Sequence, residues 1–200
     1  TLTFTFLKGL SGIYWNYLLH REKIAFALSK LFSLSLLYIV KETLVVGDDF
    51  RIVAITWLFA TLSHTFLVVK LKAFEDHTLT WTRALPIHRV RIYFVYFGLY
   101  TLLFIPEVIL LLGTLGKGVA IIHLLLLLLL SSSFLLSLHV YLYKTIRNPE
   151  YLVQFILALF IICFMLVLSK LIVLLTGCLL VLSLFYFHHY YYRYQPSITD

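Results

Sequence analysis

Residues 119–143 read VAIIHLLLLLLLSSSFLLSLHVYLY, with seven consecutive leucines at Leu124–Leu130 followed by Ser131, Ser132 and Ser133. A helix crosses the hydrocarbon core of a bilayer with about 20 apolar residues, so this stretch is long enough to do so alone. The rest of the chain has the same character: 62% of its 200 residues are hydrophobic and 12% are charged, about half the share usual in soluble domains. With a mean hydropathy of +0.99, there are too few charges to cover a large water-facing surface. The sequence therefore reads as an all-α integral membrane protein forming a single transmembrane domain over residues 1–200.

Working outward from that run, six spans are expected, at about Ile24–Val46, Ile52–Val69, Ile92–Gly113, Val119–Tyr143, Tyr151–Ser169 and Leu171–Tyr190. They are separated by the acidic turn Gly47-Asp48-Asp49, the glycine-rich turn Thr114–Gly118, the polar loop Lys144–Glu150 and the single residue Lys170. Before them, Thr1–Leu18 places Leu7, Leu10, Tyr14, Tyr17 and Leu18 at three- and four-residue spacing. That pattern predicts an amphipathic helix over residues 1–20, lying at the headgroup level or packed on other protein. The first twenty residues show no basic stretch followed by a short apolar core, so no signal peptide is read there.

An even number of spans puts both termini on one side, and charge selects the side. With the termini in the cytoplasm, the inner set holds twelve Lys and Arg, including Lys8, Arg21, Lys23, Lys30, Lys70, Lys72, Arg83, Arg89 and Arg91; the outer set holds four, Lys41, Arg51, Lys117 and Lys170. Excess Lys and Arg on cytoplasmic loops is the usual bias, and it accounts for the net charge of +7 without nucleic acid. No basic stripe forms a contiguous soluble face. Cys163 and Cys178 both fall within apolar runs and read as packing residues.

Four intramembrane groups are candidates for function, because ionisable side chains are costly in hydrocarbon. Glu107 follows Pro106 at a predicted helix break. Counted from Ile92 it falls nearer the outer surface, where it serves transport or gating, reaches the interface, or pairs with Lys41. His64 and His139 fall at comparable depth on different spans and raise the alternative of a haem or metal clamp. A membrane histidine that only forms packing hydrogen bonds is the plainer reading. His123 is too far along the same helix to share a metal with His139. Gly113-Thr-Leu-Gly-Lys-Gly118 has the wrong spacing for a phosphate loop. No HExxH, GxSxG or paired acidic motif occurs, so no catalytic centre is expected.

The longest polar break is FEDHTLTWTRALPIHRVR, Phe74–Arg91. It offers Glu75, Asp76, Trp81, Arg83, Leu85, Pro86, His88 and Arg89 as a partner-docking loop. Trp81 and Leu85 share a helical face, and arginines surround them; aromatic and Arg residues are the usual interface anchors. The alternative is an interfacial helix whose arginines bind lipid phosphates.

Trp81-Thr82-Arg83-Ala84-Leu85-Pro86-Ile87 resembles the aromatic-x-Arg-x-Leu-Pro-(Ile/Leu/Val) segment between spans two and three of the permease subunits of ABC exporters, the class with six-helix halves and a flat N-terminal connecting helix. Arg21-Glu22-Lys23-Ile24-Ala25-Phe26 extends the likeness. The resemblance implies a permease in the inner (plasma) membrane, working as a homodimer or paired permease. It also implies a separate ATP-binding cassette subunit, holding ATP and Mg, that docks on loop 74–91. The re-entrant pair that many such permeases carry before the last span is either absent here, where Lys170 alone separates spans five and six, or folded within the span near Gly177. A membrane redox subunit with haem on His64 and His139, or a non-transporting scaffold, are the other readings. Nothing in the sequence identifies a cargo.

Overall fold

The structure, a computed structural model, describes residues 9, 11–44, 49–80, 88–115, 119–144 and 149–191. All regular elements among them are helical apart from one isolated bridge between Leu115 and Val119. Helix α1 covers residues 11–16 and ends in a wide turn, Tyr17–Arg21, where the Glu22 N–H reaches the Tyr17 carbonyl at 3.1 Å. Then come α2 (Lys23–Thr43), α3 (Phe50–Ser63), α4 (Thr65–Thr78), α5 (Arg89–Leu103), α6 (Ile105–Leu111), α7 (Ile121–Tyr141), α8 (Pro149–Leu168) and α9 (Ile172–Tyr190).

Five stretches are long and apolar enough to cross a membrane: α2, the nearly continuous α3–α4 pair, α7, α8 and α9. Helices α5 and α6 make a sixth if counted together, bent by 43°. The bend has a covalent cause. Pro106 sits in the first turn of α6 and has no N–H for the Leu102 carbonyl one turn earlier. The outer surface of the bundle is apolar, with Val173 71%, Val181 68%, Phe185 67% and Ile122 66% exposed. A belt of that kind calls for lipid or protein around it.

Helix α7 is the hub, packing on α3, α4, α5, α6 and α9. Its Ser131, Ser132 and Ser133 are fully buried, and small side chains of this kind let membrane helices approach closely. Each serine hydroxyl donates to a carbonyl three or four residues back, and Ser132 also meets Thr101 of α5 at 3.0 Å. Helix α8 lies at the rim, touching α7 through a Tyr141–Phe155 stack with centroids 3.6 Å apart.

Two expected boundaries move. The second span does not end near Val69; helix α4 continues to Thr78, so Glu75 and Asp76 are helical and not part of a loop. The N-terminal helix is seen from residue 11, and it packs on protein. Tyr14 and Leu18 are buried, Tyr17 stacks on Phe74 at 4.1 Å, and Ile13 and Leu19 face outward.

Capping is local and explicit. Asp49 starts α3: its Oδ1 accepts from the Arg51 N–H at 3.0 Å, and its Oδ2 meets the Arg51 guanidinium at 2.5 Å. The Arg51 hydrogen bonds hold its carboxyl down from 3.8 to about 2. The turn at Lys170 closes α8 by a Schellman arrangement, with Leu171 N–H on the Leu166 carbonyl and Lys170 N–H on the Val167 carbonyl. Lys170 there has a φ of 61°, a conformation that costs a side-chain-bearing residue about 1–2 kcal/mol. Lys170→Gly is therefore expected to be neutral to stabilising, by up to about 1 kcal/mol, and Lys170→Val to lower the melting temperature in detergent. Equal melting of the two variants would show that the turn does not hold this backbone.

Candidate functional site

The bundle interior holds two clusters of ionisable side chains. The first gathers around the α3–α4 turn and the α5–α6 bend. Lys30 and Ser33 come from α2, His64 from the α3–α4 junction, and Glu107 from α6; all four are buried. The Lys30 ammonium lies 2.8 Å from both Glu107 oxygens and also donates to the Leu103 carbonyl at the bend. Ser33 Oγ donates to Glu107 Oε1 at 2.7 Å. His64 Nε2 stands 3.4 Å from the same Oε1, outside hydrogen-bond geometry, while its Nδ1 lies 2.8 Å from the Ala60 carbonyl. The Phe104 ring walls the cluster off, packing on His64 at 4.8 Å and on Trp57 at 5.7 Å.

The chain bends at Pro106 as expected, and Glu107 is a buried carboxylate inside the bundle, but its surroundings differ from the expectation. Its cation is Lys30, not Lys41, which lies over Gly113 where an added Cβ would meet Lys41 Cε at 2.7 Å. Nor is Glu107 near an end of the bundle, since it faces His64, the middle residue of the Phe50–Thr78 helical pair. Lys30, counted among the loop charges from the sequence, is a bundle residue.

The second cluster lies at the end of the bundle from which the 79–88 connection leaves. Helix α4 supplies Lys72, Glu75 and Asp76, α7 supplies His139, and Tyr143 follows α7. Glu75 is fully buried and accepts from the Tyr143 hydroxyl at 3.0 and 3.1 Å, with His139 Nε2 at 3.2 Å. Lys72 meets Asp76 at 2.5 Å and lies 4.2 Å from the Tyr143 ring centroid. His139 Nδ1 is 2.7 Å from the Tyr100 hydroxyl of α5. The Tyr96 ring covers His139 at 4.5 Å, and Tyr96 meets Tyr14 of α1 at 3.0 Å. One polar network therefore ties α1, α4, α5 and α7.

Of the expected docking residues, Glu75 faces inward and is a structural anchor, not a surface contact. Asp76 is held by Lys72. His88 is exposed, and Arg89 Nη1 donates to the His188 carbonyl at 2.7 Å. Trp81, Arg83, Leu85 and Pro86 lie outside the described residues. His64 and His139 belong to different clusters and share no partner. Both nitrogens of His139 meet protein groups, Tyr100 on one side and Tyr143 with Glu75 on the other. His123 stacks on Phe50 at 4.2 Å. Among the described residues no group of three or more His, Cys, Asp or Glu side chains is placed to hold a metal ion. Lys30, Ser33, Lys72 and Tyr143 are the members that sequence reasoning did not single out. The signal for Lys30 was its place eight residues into α2, deeper than a stop charge needs to be.

No protein-family model, no curated protein and no solved structure matches this chain.

Removing one partner from a buried ion pair strands the other, at a cost of about 3–5 kcal/mol. Lys30→Met is expected to destabilise the detergent-solubilised protein by that amount, and the double change Lys30→Met, Glu107→Leu to recover most of it. A double variant as unstable as the sum of the two single variants, measured by denaturant unfolding, would refute the pairing.

Proposed function

We propose that this chain is the permease subunit of an ATP-driven exporter, coupled to a separate ATP-binding subunit and paired with a second permease. In this reading the chain lies in the inner membrane with both termini in the cytoplasm. The support for orientation is the charge asymmetry. Taking out Lys30 and Lys72, whose side chains are buried in the bundle, still leaves ten cations on the proposed inner side against four outside.

The observation that carries the reading is the anchor at the foot of α4. The segment Trp81–Ile87 begins three residues after α4 ends. Glu75, one turn before that end, is bonded to Tyr143 and His139 at the end of the central helix α7. A force applied to the connection therefore passes through a buried, charge-assisted contact into the hub of the bundle, and does not dissipate in a loose loop. Buried carboxylate contacts of this type are worth about 1.5–3 kcal/mol each, enough to make the foot of α4 and the end of α7 move together. With Glu75 and Asp76 turned inward, the docking surface narrows to the residues from Trp81 to Arg91.

The reading separates docking from coupling, and two variants test it. Trp81→Ala with Arg83→Glu is expected to lower co-purification of an ATP-binding subunit from native membranes by about tenfold or more. Tyr143→Phe is expected to leave co-purification intact and to reduce the stimulation of ATP hydrolysis by the permease. Co-purification unchanged in the first variant would sink the docking role; stimulation unchanged in the second would sink the anchor's part in it.

A further inference from the structure

The two buried imidazoles differ in how their hydrogen bonds close. At His139, Tyr143 spends its one hydroxyl proton on Glu75, so Nε2 must carry the ring proton that faces Glu75 and Tyr143. Nδ1 then accepts from the Tyr100 hydroxyl. A neutral ring satisfies every contact.

At His64 it does not. The Ala60 carbonyl, 2.8 Å from Nδ1, can only accept, so the ring proton sits on Nδ1; Ser63 Oγ at 3.2 Å shares it. In a neutral ring Nε2 is then a bare lone pair. It is fully buried, has no hydrogen-bond partner, and stands 3.4 Å from a carboxylate oxygen that Lys30 and Ser33 already fill from other sides. The Nε2 lone pair thus opposes a negatively charged oxygen in a fully buried site. One proton on Nε2 turns that opposition into a charge-assisted N–H···O bond, which is stronger than a neutral one and draws its atoms to about 2.7–2.9 Å.

We infer that the His64–Glu107–Lys30 cluster is a membrane-embedded proton-binding site, with the proton carried on His64 Nε2 against the Glu107 carboxylate. The proton comes from a hydronium ion, which leaves as water; an N–H bond forms, and no electrons are transferred. The loaded cluster holds two cations around one anion, and the ammonium is further satisfied by the Leu103 carbonyl. The ionisable groups facing His64 among the described residues are Lys30 from α2 and Glu107 from α6. Helix α7 turns its histidines elsewhere, His123 to the Ala120 N–H and Phe50, and His139 to Tyr100 and Glu75; α8, packed on α3, carries the buried thiol of Cys163. The site lies at the one-residue turn between α3 and α4 and at the bend between α5 and α6. Closing the 3.4 Å gap moves those two joints toward each other. This inference requires no partner chain, and it stands or falls separately from the docking reading.

The test is nitrogen-15 NMR of the full-length, histidine-labelled chain in lipid nanodiscs, with His64 assigned by its loss in His64→Gln. His64 is expected to show a protonated Nδ1 and a protonated fraction at Nε2. In Glu107→Gln the ratio of doubly to singly protonated rings is expected to fall about tenfold or more. A ring doubly protonated throughout the accessible pH range that becomes neutral in Glu107→Gln supports the site equally. A bare Nε2 from about pH 5 to 8, or a ratio unchanged by Glu107→Gln, overturns it. Should Glu107→Gln not fold, Ser33→Ala removes only the hydroxyl donor on Oε1. The doubly protonated ratio is then expected to rise, and an unmoved ratio overturns the inference.

Discussion

A carboxylate inside a membrane bundle must find its donors in the protein, because hydrocarbon supplies none and an isolated charge there is prohibitively costly. Glu107 meets that demand from two directions at once: the Lys30 ammonium covers both of its oxygens and the Ser33 hydroxyl takes one. The arrangement holds α2 against α6. At the bend after α5 the same ammonium takes up the Leu103 carbonyl, while the Leu102 carbonyl that Pro106 leaves without its usual donor takes the Phe104 N–H.

The cluster at the foot of α4 obeys the same rule with a different solution. Its carboxylate is satisfied chiefly by a tyrosine hydroxyl and an imidazole, and its imidazole by a second tyrosine. The Lys72 ammonium stands further off, 3.8 Å from Glu75, and is held by Asp76. The tyrosines also recruit helices by their rings, as Tyr96 does over His139 and Tyr143 does beside Lys72. Lys30 offers charge but little surface, and so its cluster leaves the His64 side open.

The apolar spans were legible in the sequence because bilayer crossing is a length and composition requirement, and runs such as Leu124–Leu130 satisfy it without reference to any neighbour. The bend at Pro106 was legible because it follows from one residue's backbone chemistry, and the turn at Lys170 because a lone charge divides two apolar runs. What could not be read was partnership. Lys30 and a snorkelling interface lysine look alike in one dimension, and which carboxylate Lys30 meets depends on the rotation and depth of two separate helices. Glu75 and Asp76 read as the start of a loop because polarity usually marks the water boundary; a helix extended to Thr78 and covered by Tyr143 and His139 reverses that. His64 and His139 suggested each other because only their depths could be compared. In the folded chain each instead faces its own carboxylate.

Both clusters hang on one short helix. Helix α4 begins immediately after His64 and carries Lys72, Glu75 and Asp76 in its last turns. Its 14 residues, about 21 Å at the usual rise, have no internal proline or glycine to absorb strain. A displacement along its axis cannot be taken up at the lower end, where the Glu75 network is closed on α5 and α7. At the upper end the contact between His64 and Glu107 is unfinished and the helix passes through a one-residue turn. The incomplete contact therefore lies at the one interruption of helix between Phe50 and Thr78. That is where a shift at the 79–88 connection and a proton at the bundle centre would act on the same joint.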